Sequence, residues 1–358
     1  MPKKTFYLIL LIFLIGNVGN VFGSSRSLDK WKPKFNPSTA KYRCIVSNVS
    51  HPVIKGVYAG ILIRDRLWEK TNGKIYFDFK PFSMLGGEVE VLNLLKMGAI
   101  QGMAVSSVAA TNLGPRFGLV NLPFLINSFE KLDKFTKSGW IFEHFMNAMD
   151  HQGIIGLDIT GYGNYGWATT KPVRNIQEAK KIKFRIAEAA VNQLLYRQWG
   201  LNFVVMPWPD VHVALKQGVI SGLDHTPIVC NITKKFEVAK YFTQINYAQG
   251  LFIWIFNKQW VNSLPQDLQK TFKEVVHEVC SEIREQTKIQ EQEEIKKAKR
   301  AGVKFFTLSD EEMEILKKQG DLVHKKYAQE INKLYPGDKY RPENYLKQVQ
   351  DYMGYSVD

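Results

Sequence analysis

Residues 55–79 have the sequence KGVYAGILIRDRLWEKTNGKIYFDF, in which a helical pattern gives way to a strand-like one. From Lys55 to Lys70 apolar side chains recur at helical spacing, which predicts an amphipathic helix. Thr71–Gly73 ends that helix, because asparagine and glycine favour the backbone conformation of a helix C-terminus. Ile75–Phe79 is rich in β-branched and aromatic residues and therefore predicts a strand.

The same alternation of strands and helices continues on both sides of this stretch. Strands that alternate with helices imply a mostly parallel sheet covered on its faces. Because 358 residues favour two cores over one, we expect an α/β protein with two lobes. The further predicted elements are strands at Tyr42–Val46, near Gly102–Val105, from about Gly153 to Asp158, at Lys183–Ile186 and at Phe203–Val205, and helices at Leu92–Lys96 and Val191–Trp199.

The last third of the chain predicts one strand and two helices. The segment 248–257 is strongly apolar and is expected to be a strand that returns the chain to the first lobe. One long helix is predicted over about 265–301, with a proline near its start and a glycine just past its end. Ser309–Glu312 has the pattern of a capping box and begins a further helix to about Tyr335. The polar and aromatic tail, 336–358, shows no pattern that predicts its structure.

The N-terminus has the layout of a secretory signal peptide. Lys3 and Lys4 precede the apolar run Phe6–Ile15, and small and polar residues follow up to Gly23. The alternative is an uncleaved membrane anchor, but the apolar run is shorter than the roughly 20 residues that a membrane-spanning helix needs. We therefore predict cleavage after Gly23 and a periplasmic protein. The expected organisation is a signal peptide at 1–23, lobe 1 at 42–155 and about 246–262, lobe 2 at about 156–245 and about 303–335, a connecting helix at 264–301 and a tail at 336–358.

The chain carries a formal net charge of +14, which raises the hypothesis of nucleic-acid binding. Lysines and arginines are nevertheless spread over most predicted helices. The densest cluster, Lys296–Arg300, follows the acidic run Glu291–Glu294, as on a solvated helix face. We therefore predict no nucleic-acid partner, although the positive charge is expected to attract anionic ligands or an anionic membrane surface.

Three cysteines, Cys44, Cys230 and Cys280, permit at most one disulfide bond. They show neither CxxC nor metal-ligand spacing, and we expect all three to be small core residues. No cofactor and no metal ion are predicted.

Six short motifs along the chain are specific in their order and spacing. They are Trp68–Ile75, Leu85–Gly87, Val120–Phe124, Lys183–Ile186, Val211–Gly222 and Lys235–Tyr241. Together they resemble the substrate-binding subunits of tripartite ATP-independent periplasmic (TRAP) transporters, the DctP-type family. The resemblance covers about Tyr42 to Tyr335.

This resemblance implies a two-lobed fold like that of periplasmic binding proteins, which shuts on its ligand. Each lobe would be a mixed, mostly parallel sheet flanked by helices, and a long helix would brace both. It also implies that the chain captures a small organic acid without catalysis. The implied partners are the small and large membrane subunits of a transporter; the oligomeric state is left open.

Arg185 matches the family arginine that pairs with the ligand carboxylate. A guanidinium presents a planar fork of donors that fits a carboxylate in a bidentate manner. The structural alternative is an inter-lobe or surface salt bridge. The resemblance favours the ligand-binding role.

The segment after the second-lobe strands supplies three further candidates. His225 occupies a position where many family members have an asparagine that holds the ligand, although a lone histidine is more often structural. Asp224 is expected to orient His225 or to cap the following turn. Trp208 stands at a wall position that is usually a smaller aromatic residue, and core packing is its alternative role.

The resemblance also draws attention to three smaller or aromatic residues. Tyr165 stands where sialic-acid-binding relatives have a second arginine, so sialic acid is not the expected ligand. Ser106 and Ser107 match cleft-facing positions and follow a first-lobe strand, at the strand end where open α/β sheets bind ligands. Loop serines are also common as turn or cap residues. With these residues we expect a monocarboxylate with an apolar or aromatic body in preference to a small dicarboxylate.

Two other functions share parts of this pattern. An enzyme would need acid–base groups such as the Asp224–His225 pair, but no HExxH, GxSxG, Walker-type or GxGxxG motif accompanies them. The glycines at Gly161–Gly163 and Gly86–Gly87 are predicted to form turns. A sensory subunit that signals to a receptor would share the whole fold and Arg185, and the sequence does not separate it from a transport subunit.

Overall fold

The computed structural model describes residues 29–357. The chain divides into two compact units, one ending at Thr39 and the other beginning at Ala40. The described part of the first unit includes a short 3-10 helix at Pro37–Thr39. The predicted signal peptide, 1–23, lies outside the described residues.

The unit from Ala40 onward alternates strands and helices. The strands are β1 (Tyr42–Ser47), β2 (Ile75–Lys80), β3 (Gly102–Ser106), β4 (Ile154–Thr169), β5 (Lys183–Ile186), β6 (Asn202–Val205), β7 (Gly222–His225), β8 (Tyr241–Asn257) and β9 (Lys304–Thr307). The helices are α1 (Lys55–Lys70), α2 (Glu88–Lys96), α3 (Ser107–Ala110), α4 (Phe129–Thr136), α5 (Trp140–Met146), α6 (Ile176–Ala179), α7 (Ala190–Gln198), α8 (Val211–Lys216), α9 (Pro227–Ile232), α10 (Lys258–Ser263), α11 (Gln266–Arg300), α12 (Asp310–Asn332) and α13 (Tyr345–Met353).

Most of the elements predicted from the sequence are present, and α1 and β5 have the predicted bounds. Thr71 is the C-cap of α1, and its hydroxyl donates to the carbonyl oxygen of Leu67 at 2.6 Å. Val57 and Ile63 on the inner face of α1 are fully buried. Removal of this apolar face from water is the main force that holds the helix on the sheet.

The strands form one mixed sheet with the order β2-β1-β3-β8-β4-β7-β5-β6, and β9 pairs with β8. β1, β2 and β3 are parallel at one end, and β5, β6 and β7 are parallel at the other. β8 and β4 lie between these ends and are antiparallel to each other. The predicted α/β, two-lobed class is confirmed, and the two lobes share one continuous sheet.

β4 and β8 are much longer than the sequence predicts. β8 pairs with β3 through residues 252–256 and with β9 through residues 241–244, so it belongs to both ends of the sheet. The prediction of a turn at Gly161–Gly163 is wrong, because these residues lie inside β4, next to shifts in its register against β8. Such bulges tolerate glycine well. The predicted lobe divisions near 155 and 245 fall inside these strands and stay predictions.

The long helix α11 begins and ends within one residue of the predicted bounds. One stripe of its apolar side chains is buried: Leu268, Phe272, Val275, Val276, Val279 and Ile283. Polar contacts also tie it to β4. Arg284 Nη1 donates to Asp158 Oδ1 at 2.6 Å, and Glu291 Oε2 accepts from Asn164 Nδ2 at 2.7 Å. The helix therefore braces a strand that runs through both ends of the sheet.

The C-terminal tail, whose structure the sequence does not predict, is folded. Its helix α13 buries an apolar face, and the Tyr345 hydroxyl donates to the Ile141 carbonyl oxygen at 2.7 Å. Arg116 forms a buried ion pair with Asp338 at 3.1 Å. These contacts anchor the tail on the β1–β3 end of the protein.

The three cysteines are buried, as predicted, and all three are free. Among the helices of residues 29–357, none is both long and apolar enough to cross a bilayer.

Candidate functional site

A cavity, here called the central cavity, lies where the C-terminal ends of β3, β5 and β7 meet the middle of β4 and β8. The space between its lining residues is about 520 Å³, a volume that includes the open solvent at its mouth. Open α/β sheets bind ligands at such strand ends. It is lined by Val49, Ser50, Glu88, Ser106, Val108, Tyr162, Tyr165, Arg185, Ala187, Asn192, Trp208, Asp224, His225, Val229 and Phe252.

Arg185, near the end of β5, brings the main positive charge to the central cavity. Its side chain is buried, and Nε donates to the Met206 carbonyl oxygen at 2.8 Å. Within residues 29–357 the guanidinium forms no ion pair, so the salt bridge that was its structural alternative is not found there. Burial lowers the pKa of Arg185. A buried cation is costly without an anionic partner, and the Nη groups remain available for a bound one.

Trp208 lies close to both Arg185 and a second buried cation, Lys235. The Arg185 guanidinium carbon lies 5.7 Å from the centre of the indole, and Lys235 Nζ lies 4.5 Å from it. Lys235 is 5% exposed, and burial lowers its pKa. Trp208 also packs against the apolar core around α8 and β7. The indole therefore serves both as a cavity wall and as core, the two roles that the sequence left open.

His225 ends β7 and contacts the Trp208 ring at 4.7 Å between centres. Its Nδ1 accepts from the Thr226 backbone N–H at 2.9 Å, so the proton of the neutral ring resides on Nε2. Burial, together with the charges of Arg185 and Lys235, holds the pKa of His225 well below its usual value. His225 is therefore a neutral hydrogen-bond donor at ordinary pH.

Asp224 lines the central cavity, but both of its predicted roles are wrong. Its Oδ2 accepts from the Tyr247 hydroxyl at 2.6 Å, and it does not orient His225. Thr226, and not Asp224, caps α9. Burial raises the pKa of Asp224 to about 7, although the Tyr247 hydrogen bond and the Arg185 charge oppose this. Asp224 therefore takes up a proton far more readily than an exposed carboxyl group does.

Ser106 ends β3 and lines the central cavity, but its hydroxyl is already engaged. It donates to Glu88 Oε2 at 2.8 Å and accepts from the Ala109 backbone N–H at 3.1 Å. Ser107 does not line the cavity. It is fully buried, and its hydroxyl donates to Asn121 Oδ1 at 2.7 Å, so it is not oriented to contact a ligand.

Tyr165 lies in the wall of the central cavity, as the resemblance implies. Its hydroxyl is 2.7 Å from the Tyr162 hydroxyl, and its ring stacks on Tyr247 at 5.7 Å. Burial raises the pKa of Tyr165, so the phenol is neutral. This position therefore supplies an aromatic surface and not a second positive charge.

Comparison with known families decides what kind of protein carries this cavity. Residues 48–330 match the family described as "Bacterial extracellular solute-binding protein, family 7", or DctP. The chain belongs to this family. The match includes every residue that lines the central cavity.

Relatives of this family 7 solute-binding protein are similar over most of their length. The C4-dicarboxylate-binding periplasmic protein DctP of Vibrio cholerae is 28% identical over 68% of this chain and 72% of its own. The 2,3-diketo-L-gulonate-binding periplasmic protein YiaO of Escherichia coli is 24% identical over 68% of this chain and 74% of its own.

Solved structures of TRAP periplasmic solute-binding proteins share its fold. One, from Desulfovibrio salexigens with bound orotic acid, has a TM-score of 0.80 at 18% identity and covers 88% of this chain and 99% of its own. Another, from Sulfurospirillum deleyianum with bound succinate, has a TM-score of 0.76 at 24% identity and covers 89% of this chain and 100% of its own. These similarities support the predicted two-lobed architecture.

The residues that sequence reasoning did not identify in this solute-binding protein's cavity region include Glu88, Tyr162, Asn192 and Lys235. Glu88 follows the Gly86–Gly87 turn directly and begins α2, a position at which a helix N-terminus exposes unpaired backbone donors. That turn was the available signal for a polar group near the strand ends. Lys235 begins the motif Lys235–Tyr241, but nothing in that motif indicated a place at the cavity, because only the fold brings Lys235 against Trp208. Within residues 29–357, no group of three or more His, Cys, Asp or Glu side chains is arranged to hold a metal ion.

Proposed function

We propose that this protein captures a small organic monocarboxylate in the central cavity and delivers it to a membrane-embedded TRAP-type transporter. The observation that carries the proposal is Arg185, a buried cation that lines the cavity and forms no ion pair within residues 29–357. A ligand carboxylate would supply the missing anion and accept from both Nη groups.

The named ligands of relatives support an organic acid. The Vibrio cholerae relative is named for C4-dicarboxylates and the Escherichia coli relative for 2,3-diketo-L-gulonate. Structures with the same fold hold orotic acid, succinate or β-D-galacturonate. A carboxylate is common to all of these ligands.

The charges of the central cavity favour one carboxylate over two. Arg185 and the nearby Lys235 are positive, His225 is neutral, and the carboxyl groups of Glu88 and Asp224 face the same space. With Asp224 protonated, the two cations and an ionised Glu88 leave one positive charge, which a monoanion balances, whereas a second ligand carboxylate would add a negative charge with no second arginine to pair it. Aromatic side chains at 162, 165, 208 and 252 then enclose the body of the ligand.

In the proposed cycle the ligand enters an open cleft, pairs with Arg185 and is buried when the lobes close. β4 and β8 run through both ends of the sheet and are the natural hinge. The partners are the small and large subunits of the membrane transporter, and the site is periplasmic after removal of the signal peptide. We propose capture without catalysis, since the family is one of solute-binding proteins.

The test is a thermal-shift screen of residues 24–358 against organic acids, amino acids and neutral sugars, because a ligand that binds only the folded state raises the melting temperature. We expect shifts with carboxylates that disappear in Arg185→Ala. Arg197→Ala, which removes an exposed arginine from neighbouring α7, should keep them. Shifts confined to neutral sugars, or shifts retained in Arg185→Ala, would contradict the proposal.

A further inference from the structure

A second charged side chain in the central cavity, Glu88, has no part in carboxylate capture. Glu88 is the first residue of α2, and its carboxylate is held in one orientation by Ser106. The Ser106 backbone N–H donates to Oε1 at 2.7 Å, and the Ser106 hydroxyl donates to Oε2 at 2.8 Å. Ser106 is itself fixed as the N-cap of α3. The Glu88 carboxylate is therefore preorganised and not a mobile surface group.

The carboxyl group of Glu88 is partly buried and has no cation of its own among the described residues. Within residues 29–357 it forms no ion pair, and burial raises its pKa against the effect of the two Ser106 bonds and the Arg185 charge. Each carboxylate oxygen accepts two hydrogen bonds, and Ser106 supplies one to each. Each oxygen of Glu88 can thus accept one more hydrogen bond from the cavity. A partly buried acceptor that lacks this bond is unfavourable in free energy.

The two sides of the central cavity therefore carry different polar groups, a hydrogen-bond acceptor on one side and a donor on the other. Glu88 enters it from the β1–β3 end of the sheet, whereas Arg185 enters it from the β5–β7 end. The aromatic rings of Tyr162 and Phe252, whose centres are 4.5 Å apart, line the same cavity. A ligand that spans the cavity meets a donor fork at one end and an oriented acceptor at the other.

We infer, on the basis of the proposed carboxylate capture by Arg185, that the ligand carries a hydrogen-bond donor, a hydroxyl or an ammonium group, at the end opposite its carboxylate, and that Glu88 accepts from it. The substrate class is then a hydroxy- or amino-carboxylate. An unsubstituted acid would leave Glu88 without this bond, and a dicarboxylate would place like charges together.

The test uses matched sets of acids that differ only at the far end. One set is butyrate, 4-hydroxybutyrate, 4-aminobutyrate and succinate, and the other is phenylacetate with hydrogen, hydroxyl, aminomethyl or carboxyl at the para position. Affinities are measured by isothermal titration for the wild type, Glu88→Gln and the control Glu90→Gln, which alters an exposed residue of the same helix.

In the better-binding set we expect the hydroxyl or ammonium member to bind at least about tenfold more tightly than the unsubstituted and dicarboxylate members, the size of one hydrogen bond to a charged group. Glu88→Gln should reduce this preference, most for an ammonium member because the charge is lost, while Glu90→Gln should preserve it. Comparison of the hydroxyl and ammonium members of each set shows which of the two donor groups the cavity prefers.

The outcomes separate this inference from the function on which it rests. If the acids bind regardless of their far end, or if Glu88→Gln leaves the preference intact, the role of Glu88 is wrong while carboxylate capture stands. If no acid of either set binds, or if binding survives in Arg185→Ala, the carboxylate site fails and this inference fails with it.

Discussion

The protein contains two buried arginines in opposite situations, and their replacement by methionine tests the role of Arg185. Arg116 is fully buried, pairs with Asp338 at 3.1 Å and donates to the Lys333 carbonyl oxygen at 2.6 Å. Arg185 is 5% exposed, forms no ion pair within residues 29–357 and has one recorded hydrogen bond, to the Met206 carbonyl oxygen. Methionine has a similar length and no charge.

The two substitutions should affect the free energy of unfolding in different ways. Arg116→Met leaves a buried carboxylate without its partner and should cost about 3–5 kcal/mol. Arg185→Met loses one hydrogen bond, about 1 kcal/mol, but also removes a desolvated cation whose burial is itself unfavourable by an amount of that order or more. The ligand-free Arg185→Met protein should therefore be as stable as the wild type within about 1 kcal/mol, or more stable.

Ligand affinity should instead fall in Arg185→Met and be retained in Arg116→Met. Loss of one partner of a buried charge pair weakens binding by about 2–5 kcal/mol, so Arg185→Met should bind its carboxylate at least roughly 30-fold more weakly. Arg116→Met should retain the wild-type affinity while folded. Urea unfolding followed by circular dichroism gives the stabilities, and titration of the best acid from the screen gives the affinities. If Arg185→Met is destabilised as much as Arg116→Met and binds normally, Arg185 is a structural residue and the reasoning is refuted.

Three further predictions concern groups around the site. Because the pKa of buried Asp224 is about 7 and a bound anion would raise it further, carboxylate affinity should fall as pH rises above about 7, and titrations across pH 6–9 should show a flatter profile for Asp224→Asn. Lys235→Met should weaken carboxylate binding by roughly threefold to tenfold through the loss of a nearby charge, whereas removal of the exposed Lys234 should not; equal titration curves for both variants would contradict this. Glu291→Ala leaves backbone and side-chain donors of β4 without their acceptor and should lower the free energy of unfolding by about 2–4 kcal/mol in urea denaturation, and an unchanged midpoint would show that the contact is dispensable.

The local elements were predictable where one strong pattern acted alone. The helix at Lys55–Lys70 and the 35-residue α11 follow from periodic apolar side chains with clear stop signals. The glycines at Gly161–Gly163 misled the prediction, because the signal for a turn is the same as the signal for a bulge inside a long strand. Pairing with β8 on one side, which no local pattern encodes, turns this segment into part of β4.

The residues of the candidate site were likewise predictable only in part. The resemblance to the DctP-type family placed Arg185, Trp208 and His225 in the site, and the structure brings all three to the central cavity. Sequence reasoning assigned the wrong partner to Asp224, since adjacent residues in a strand point to opposite faces and Asp224 meets Tyr247 of β8 instead of His225. Ser107 was lost from the site for a related reason, because it begins a buried helix and bonds to Asn121.

The sequence by itself determined the α/β class, the order of most elements, the long bracing helix and the arginine at the end of β5, since these depend on periodicity, caps and motifs that are local in the chain. Only the tertiary structure decided that β4 and β8 run through both lobes, that Lys235 lies on Trp208, and that Glu88 shares a cavity with Arg185. These are contacts between residues far apart in sequence, and burial and charge at such contacts are set by what the whole fold removes from water.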